Sequence, residues 1–172
     1  MIDIYMNIYH NLQQTALEEI KSVDNIIPYF TRVTDVDDSP DLTDIHPRER
    51  ADMDLHFIAV EQNRFPRISD FVNTISGVRS SVIIGLGPQS QLYPHVDTVE
   101  LPPYSYIDWV SVFIGLFVPS YDKDLVAVKI GNQIFDHREI LFFDTQIPHS
   151  AWNWTDEWWI SIRLSVDKKF LV

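Results

Sequence analysis

Residues 109–118 read WVSVFIGLFV. The run is apolar almost throughout and rich in β-branched and aromatic side chains, as expected of a strand buried on both faces. Even extended to Pro119 it is too short to cross a bilayer as a helix, which takes about 20 residues. A strand of this kind needs hydrogen-bonded neighbours and cover on both sides, so it commits the chain to a sheet with a layer above and below. The last two thirds of the sequence supply the neighbours. Candidate strands lie at 80–86 (SSVIIGL), 92–99 (LYPHVDTV), 125–130 (LVAVKI), 133–135, 139–143, from His149 onward, and at 158–166. Gly85 and Gly87 interrupt the first, and Gly131-Asn132 forms a tight turn. Five to eight short strands separated by turn signals every 8–12 residues or so predict a β-sandwich or barrel.

The first third reads differently. Residues 13–21 (QQTALEEIK) are good helix formers and predict a short helix. Residues 26–33 are β-prone but interrupted by Pro28, which predicts an edge strand. Residues 34–50, rich in Asp and Pro, read as loop, and 64–75 predict a short helix beginning near Ser69 as its N-cap. At 172 residues the chain is long enough for one self-sufficient core.

Composition narrows the function. Lys plus Arg is 13 against 25 Asp plus Glu, a net charge of −12 with no basic run. This excludes nucleic acid as the main partner and argues against an anionic membrane surface. There is no cysteine, which leaves no disulfide, thiolate metal site or Cys nucleophile. The first ten residues carry Asp3 and no basic region ahead of an apolar stretch, so the expectation is a cytoplasmic protein rather than a secreted one.

One constellation carries chemistry. His95-Val96-Asp97 alone is weak, because six His and 18 Asp give roughly 0.6 such triplets by chance. In a strand, however, His95 and Asp97 project from one face together with Tyr93. His149 follows 54 residues later at the start of another strand. Two neutral imidazoles and one carboxylate suit a divalent first-row metal and leave coordination positions open, the ligand set of non-haem Fe(II) oxygenases. Arg163-Leu164-Ser165 comes 14 residues after His149, with Arg163 and Ser165 on one strand face. An Arg among apolar neighbours needs an anion. That anion is either an internal carboxylate or a cosubstrate clamped by guanidinium and hydroxyl together.

His95-x-Asp97, His149 and Arg163-x-Ser165 resemble the Fe(II)- and 2-oxoglutarate-dependent oxygenases, which fold as a double-stranded β-helix. More narrowly, residues 139–153 (EILFFDTQIPHSAWN), with Phe143-Asp144, His149 and Trp152-Asn153, resemble the aspartyl/asparaginyl β-hydroxylase branch, with its proline hydroxylase-like relatives. Lys129-Ile130-Gly131-Asn132 fits that branch's turn into the strand. The resemblance runs over 92–166. It implies a mainly β jelly roll, which we place at 79–172; the irregular, partly helical part at 1–78, which the resemblance does not cover, is expected to pack on it in one domain. It implies a metal site of His95, Asp97 and His149 for Fe(II), and 2-oxoglutarate held by Arg163 and Ser165, with Tyr93 as a further cosubstrate contact. Trp152, Asn153 and Trp109 are expected to border the substrate, a small molecule or a peptide. The implied reaction hydroxylates an amino acid or peptidyl side chain and releases succinate and CO2. Two positions depart from the branch. Its usual Arg about ten residues after the second His is Trp159 here, with Arg163 four residues later on the same face. The strand at 109–113 has no Arg. Arg79, Lys129 and Arg138 are rival carboxylate partners. Asp144 reads as a turn cap or as a residue orienting a ligand. The alternative function is a cupin-like metalloprotein, an isomerase or a dioxygenase without a keto acid, using the same metal ligands. A third reading is a binding module with no metal.

Overall fold

The computed structural model describes residues 2–23, 31–32, 55–96, 109–136 and 140–170. Its elements are α1 (Ile2–Lys21), β1 (Thr31–Arg32), β2 (Leu55–Ala59), α2 (Pro66–Thr74), β3 (Val78–Leu86), β4 (Ser90–His95), β5 (Trp109–Phe117), β6 (Val126–Ile130), β7 (Gln133–Phe135), β8 (Leu141–Phe143), β9 (His149–Asn153) and β10 (Trp159–Asp167). A 3-10 turn at Lys168–Phe170 closes the described chain. The strands form a six-stranded sheet in the order β1-β2-β3-β10-β5-β8 and a four-stranded sheet in the order β4-β9-β6-β7. Every pairing is antiparallel. This is the mainly β jelly roll with N-terminal helices that the sequence predicts, and two α-helices lie among the described residues.

Strand alternation sorts the side chains into two cores. On β10, Ile160, Ile162, Leu164 and Val166 join Ile83, Val112 and Ile114, and these pack against Tyr9, Leu12 and Ala16 of α1 and Ile68 and Val72 of α2. Trp159 points the other way. With Ile84, Leu86 and Phe113 it packs against Val126, Val128 and Ala151 of the small sheet. The molecule therefore has three layers: helices, large sheet, small sheet. β5 and β10 lie inside the large sheet and are covered on both faces, which is why residues 109–118 read as a nearly unbroken apolar run, while in β10 Ile160, Ile162, Leu164 and Val166 alternate with Ser161, Arg163 and Ser165.

The N-terminal part departs from expectation in three ways. Helix α1 begins at Ile2 rather than at Gln13, because Tyr9 and Leu12 extend the buried stripe of Ala16 and Ile20 at helical spacing. Helix α2 begins with Pro66 in its first turn, and its cap comes from another helix. The Glu19 carboxylate, itself buried, accepts hydrogen bonds from the amides of Arg67 (2.9 Å) and Ile68 (2.7 Å). An anion there satisfies donors that the helix cannot satisfy itself. Residues 1–78 also contribute strands β1 and β2, of which β1 lies at the sheet edge within the expected edge strand. The loop reading of 34–50 lies outside the described residues. No helix among the described residues is long and apolar enough to cross a membrane.

Candidate metal centre

His95 ends β4 and His149 begins β9, and the two residues are direct cross-strand partners. Their ring centroids are 4.2 Å apart. The pairing depends on a bulge. Leu92 faces Ala151, yet His95, three residues on, faces His149, only two residues back along β9. Pro94 lies in the bulge, and a proline has no N–H to continue the ladder. The extra residue re-aims the strand so that His95 meets His149 on the inner face. It also interrupts the strict alternation from which Tyr93 was expected to share the face of His95.

Each imidazole is held in the same way. His95 Nδ1 lies 2.8 Å from the Tyr93 carbonyl oxygen, and His149 Nδ1 lies 3.0 Å from that of Ile147. A carbonyl only accepts, so in the neutral rings Nδ1 carries the proton and Nε2 the lone pair. This is the tautomer that ligates a metal through Nε2, with a backbone carbonyl fixing the ring. His149 is buried, and Phe143 of β8 packs edge-on against it with centroids 5.1 Å apart.

The turn before His149 is built to fix that carbonyl. The Ile147 amide donates to the Asp144 carbonyl (3.0 Å), the Gln146 amide to Asp144 Oδ1 (2.9 Å), and the Gly131 amide to the Pro148 carbonyl (2.8 Å). Asp144 is thus the turn cap that the sequence suggested. Its other oxygen pairs with Lys168 Nζ at 2.7 Å. Burial alone raises the Asp144 carboxyl, but the Lys168 hydrogen bond, the Gln146 amide and the Lys168 charge outweigh it and hold the pKa below its usual value.

Arg163 occupies the inner face of β10, opposite Phe113 of β5 and Val82 of β3. Its Nε donates to Ser111 Oγ at 2.9 Å. Ser111 lies directly opposite Ser165 on β10 and Phe143 on β8. Ser80, Ser165 and Ser111 thus form a hydroxyl row across three strands, at the level where Phe143 reaches His149. Exposure along β3 falls from Ser80 toward Leu86, so this row sits at the open end of the roll. Deeper in, Trp159 meets Phe113 edge-on with centroids 6.1 Å apart and fills the interior with apolar surface.

A model of the aspartyl/asparaginyl β-hydroxylase family matches residues 52–167. The chain belongs to this family. A Pseudomonas putida prolyl-4-hydroxylase has a similar fold, with a TM-score of 0.61 at 10% identity over 92% of this chain and 87% of that one. The non-heme alpha ketoglutarate dependent carbocyclase SnoK from nogalamycin biosynthesis gives 0.51 at 13% identity, over 66% of this chain and 63% of that one. No curated protein matches the chain.

For this member of the aspartyl/asparaginyl β-hydroxylase family, the remaining expected site residues divide clearly. Asp97 and Arg138 lie outside the described residues. Of the three expected ligands the described residues include His95 and His149, and among the described residues no cluster of three or more His, Cys, Asp or Glu is present. Trp109, half-buried, shares the inner face with Ser111 at the open end, opposite Asp167. Two expected substrate contacts have partners within the chain itself. Trp152 alternates with Ala151 and so faces outward, where its Nε1 donates to the Lys123 carbonyl (3.0 Å). Asn153 is fully buried, and its amide is spent on the chain itself. Its Nδ2 donates to the carbonyls of Leu86 (3.1 Å), Gly87 (3.0 Å) and Glu157 (2.8 Å), and its Oδ1 accepts from Thr155. Of the rival cations, Arg79 pairs with Asp167 (3.0 Å) and Lys129 is exposed opposite Ser150. Sequence reasoning missed Ser111 and Phe143 as site residues. Both sit inside strands that read as core, and only register brings them to Arg163 and His149.

Proposed function

We propose that the protein is an Fe(II)- and 2-oxoglutarate-dependent hydroxylase acting on an amino acid or a peptidyl side chain. The observation that carries this reading is the His95–His149 pair with both Nδ1 atoms tied to carbonyls. A neutral imidazole pair of that tautomer fits a divalent metal such as Fe(II). His95 and His149 would hold it, with Asp97 as the carboxylate ligand expected from spacing. Bound Fe(II), together with 2-oxoglutarate and dioxygen, supplies the oxidising chemistry, with succinate and CO2 as co-products.

The chain's own residues bind and orient. Arg163 and Ser165 receive the far carboxylate of 2-oxoglutarate, with Tyr93 as the further contact expected from the sequence. Phe143, Phe113 and Trp159 exclude water from the interior around that carboxylate, which strengthens each charged contact. Trp109 lines the open end, where a substrate side chain enters. The family match and the prolyl-4-hydroxylase fold support the same reaction class.

The test is an anaerobic titration of Fe(II) and then 2-oxoglutarate into metal-free protein, read by the visible metal-to-ligand charge-transfer band. The band is expected to appear only with both present, and succinate release then screens substrates. Fe(II) binding with no response to 2-oxoglutarate selects the cupin-like reading, in which the Arg163–Ser111 bond is purely structural.

A further inference from the structure

We infer that Ser111 is the positioning residue that aims Arg163, and through it the carboxylate of the cosubstrate. The inference rests on the function proposed above and adds to it a residue that no motif marks.

The register makes the argument. Arg163 lies opposite Phe113, not opposite Ser111. To bring Nε within 2.9 Å of Ser111 Oγ, the side chain must lean one residue pair along the sheet. It leans toward the level of Ser165 and Phe143, the level at which Phe143 packs on His149. The hydrogen bond therefore points the guanidinium from the closed, aromatic part of the roll toward the histidines. Nε sits at the root of the guanidinium plane, so fixing it fixes the plane. A carboxylate then meets the Nη edge end-on, as a two-point pair.

Ser111 is suited to this and costly otherwise. It is 1% exposed in the middle of an apolar strand, where most hydroxyls are hydrogen-bonded, as this one is to Arg163. Alanine at 111 leaves a half-buried Arg Nε–H without this acceptor. A longer side chain fills the space into which the guanidinium leans.

The test uses the full chain and three variants, S111A, S111C and S111T. S111C keeps the volume with a weak acceptor, and S111T keeps the hydroxyl. 2-Oxoglutarate is titrated into the anaerobic Fe(II) protein by the charge-transfer band. Fe(II) alone is titrated by calorimetry. The expected result is a half-saturation for 2-oxoglutarate raised about tenfold in S111A and S111C, Fe(II) affinity unchanged, and wild-type behaviour restored in S111T. In turnover, KM for 2-oxoglutarate rises more than kcat falls. In the metal-free protein the Arg163 Nε–H resonance, slow to exchange in the wild type, exchanges quickly in S111A and S111C. If S111A fails to fold, S111C decides.

Unchanged 2-oxoglutarate affinity in both variants overturns the inference, and so does a parallel loss of Fe(II) and 2-oxoglutarate affinity. A wild type with no 2-oxoglutarate band overturns the proposed function and this inference with it. In that case the exchange measurement still reports whether Ser111 holds Arg163.

Discussion

His149 and His95 are ordinary residues in composition, and their meaning lies in how each ring is held. Because both Nδ1 atoms face carbonyls, either ring is expected to bind metal through Nε2. His149→Ala and His95→Ala should each weaken Fe(II) binding at least a hundredfold by calorimetry while the far-UV circular dichroism stays that of the wild type. Equal Fe(II) affinity in either variant would remove that residue from the ligand set. Ser161 offers a contrasting test on the same strand. Its hydroxyl is buried, with no hydrogen-bond partner among the described residues. Removing an unsatisfied hydroxyl is neutral or favourable. Ser161→Ala should therefore leave Tm unchanged or raise it slightly. A clear fall in Tm would show that the hydroxyl has a partner the folded chain needs.

At the scale of elements, the C-terminal end of β10 is anchored by local chemistry. Gly77 precedes β3 with φ +82°, and the position of a Cβ there is occupied by the Phe170 ring. Gly77→Ala combines a left-handed backbone with that clash, so a loss of about 1–3 kcal/mol is expected in denaturant unfolding. Asp167 closes β10 against the same corner. Lys169 and Arg79, each 3.0 Å away, hold its pKa at about 2, below the 3.8 of an ordinary aspartate. In the window between those values the unfolded chain binds more protons than the folded one, so stability falls as pH falls. The contribution is complete above about pH 4 and is lost toward pH 2. Unfolding curves at pH 4.5 and pH 2.5 should show a smaller acid loss in Asp167→Asn than in the wild type. Equal losses would assign the acid sensitivity to other carboxylates, Asp144 among them.

At the scale of the whole molecule, the helical layer is joined to itself through one buried carboxylate. Glu19 caps α2 from α1 and so ties the layer that covers the large sheet. Glu19→Ala is expected to cost about 1–3 kcal/mol, because two helix-terminal amides lose their acceptor. A stability within 0.5 kcal/mol of wild type, about the spread of a surface change, would show that water replaces it.

The strand β5 was legible in the sequence because burial on both faces leaves an apolar run that needs no partner to be read, and β10 because Ile160, Ile162, Leu164 and Val166 recur with the period of a strand. The Gly131 turn was legible because φ +56° there selects the residue. The residue types of the candidate site, the His pair and the Arg-x-Ser, were legible because side-chain identity is what suggests chemistry. What the sequence could not set is which residues meet. The bulge at Pro94 turns His95 to His149 across 54 residues of chain, Ser111 reaches Arg163 only through sheet register, and Glu19 replaces the expected cap at Ser69. Each is a contact between distant segments, decided by pairing and packing in three dimensions. Trp152 and Asn153 make the same point from the other side. Adjacent to the site in sequence, one faces out and the other is spent on backbone, because successive residues of a strand point to opposite faces and a buried amide must find its partners.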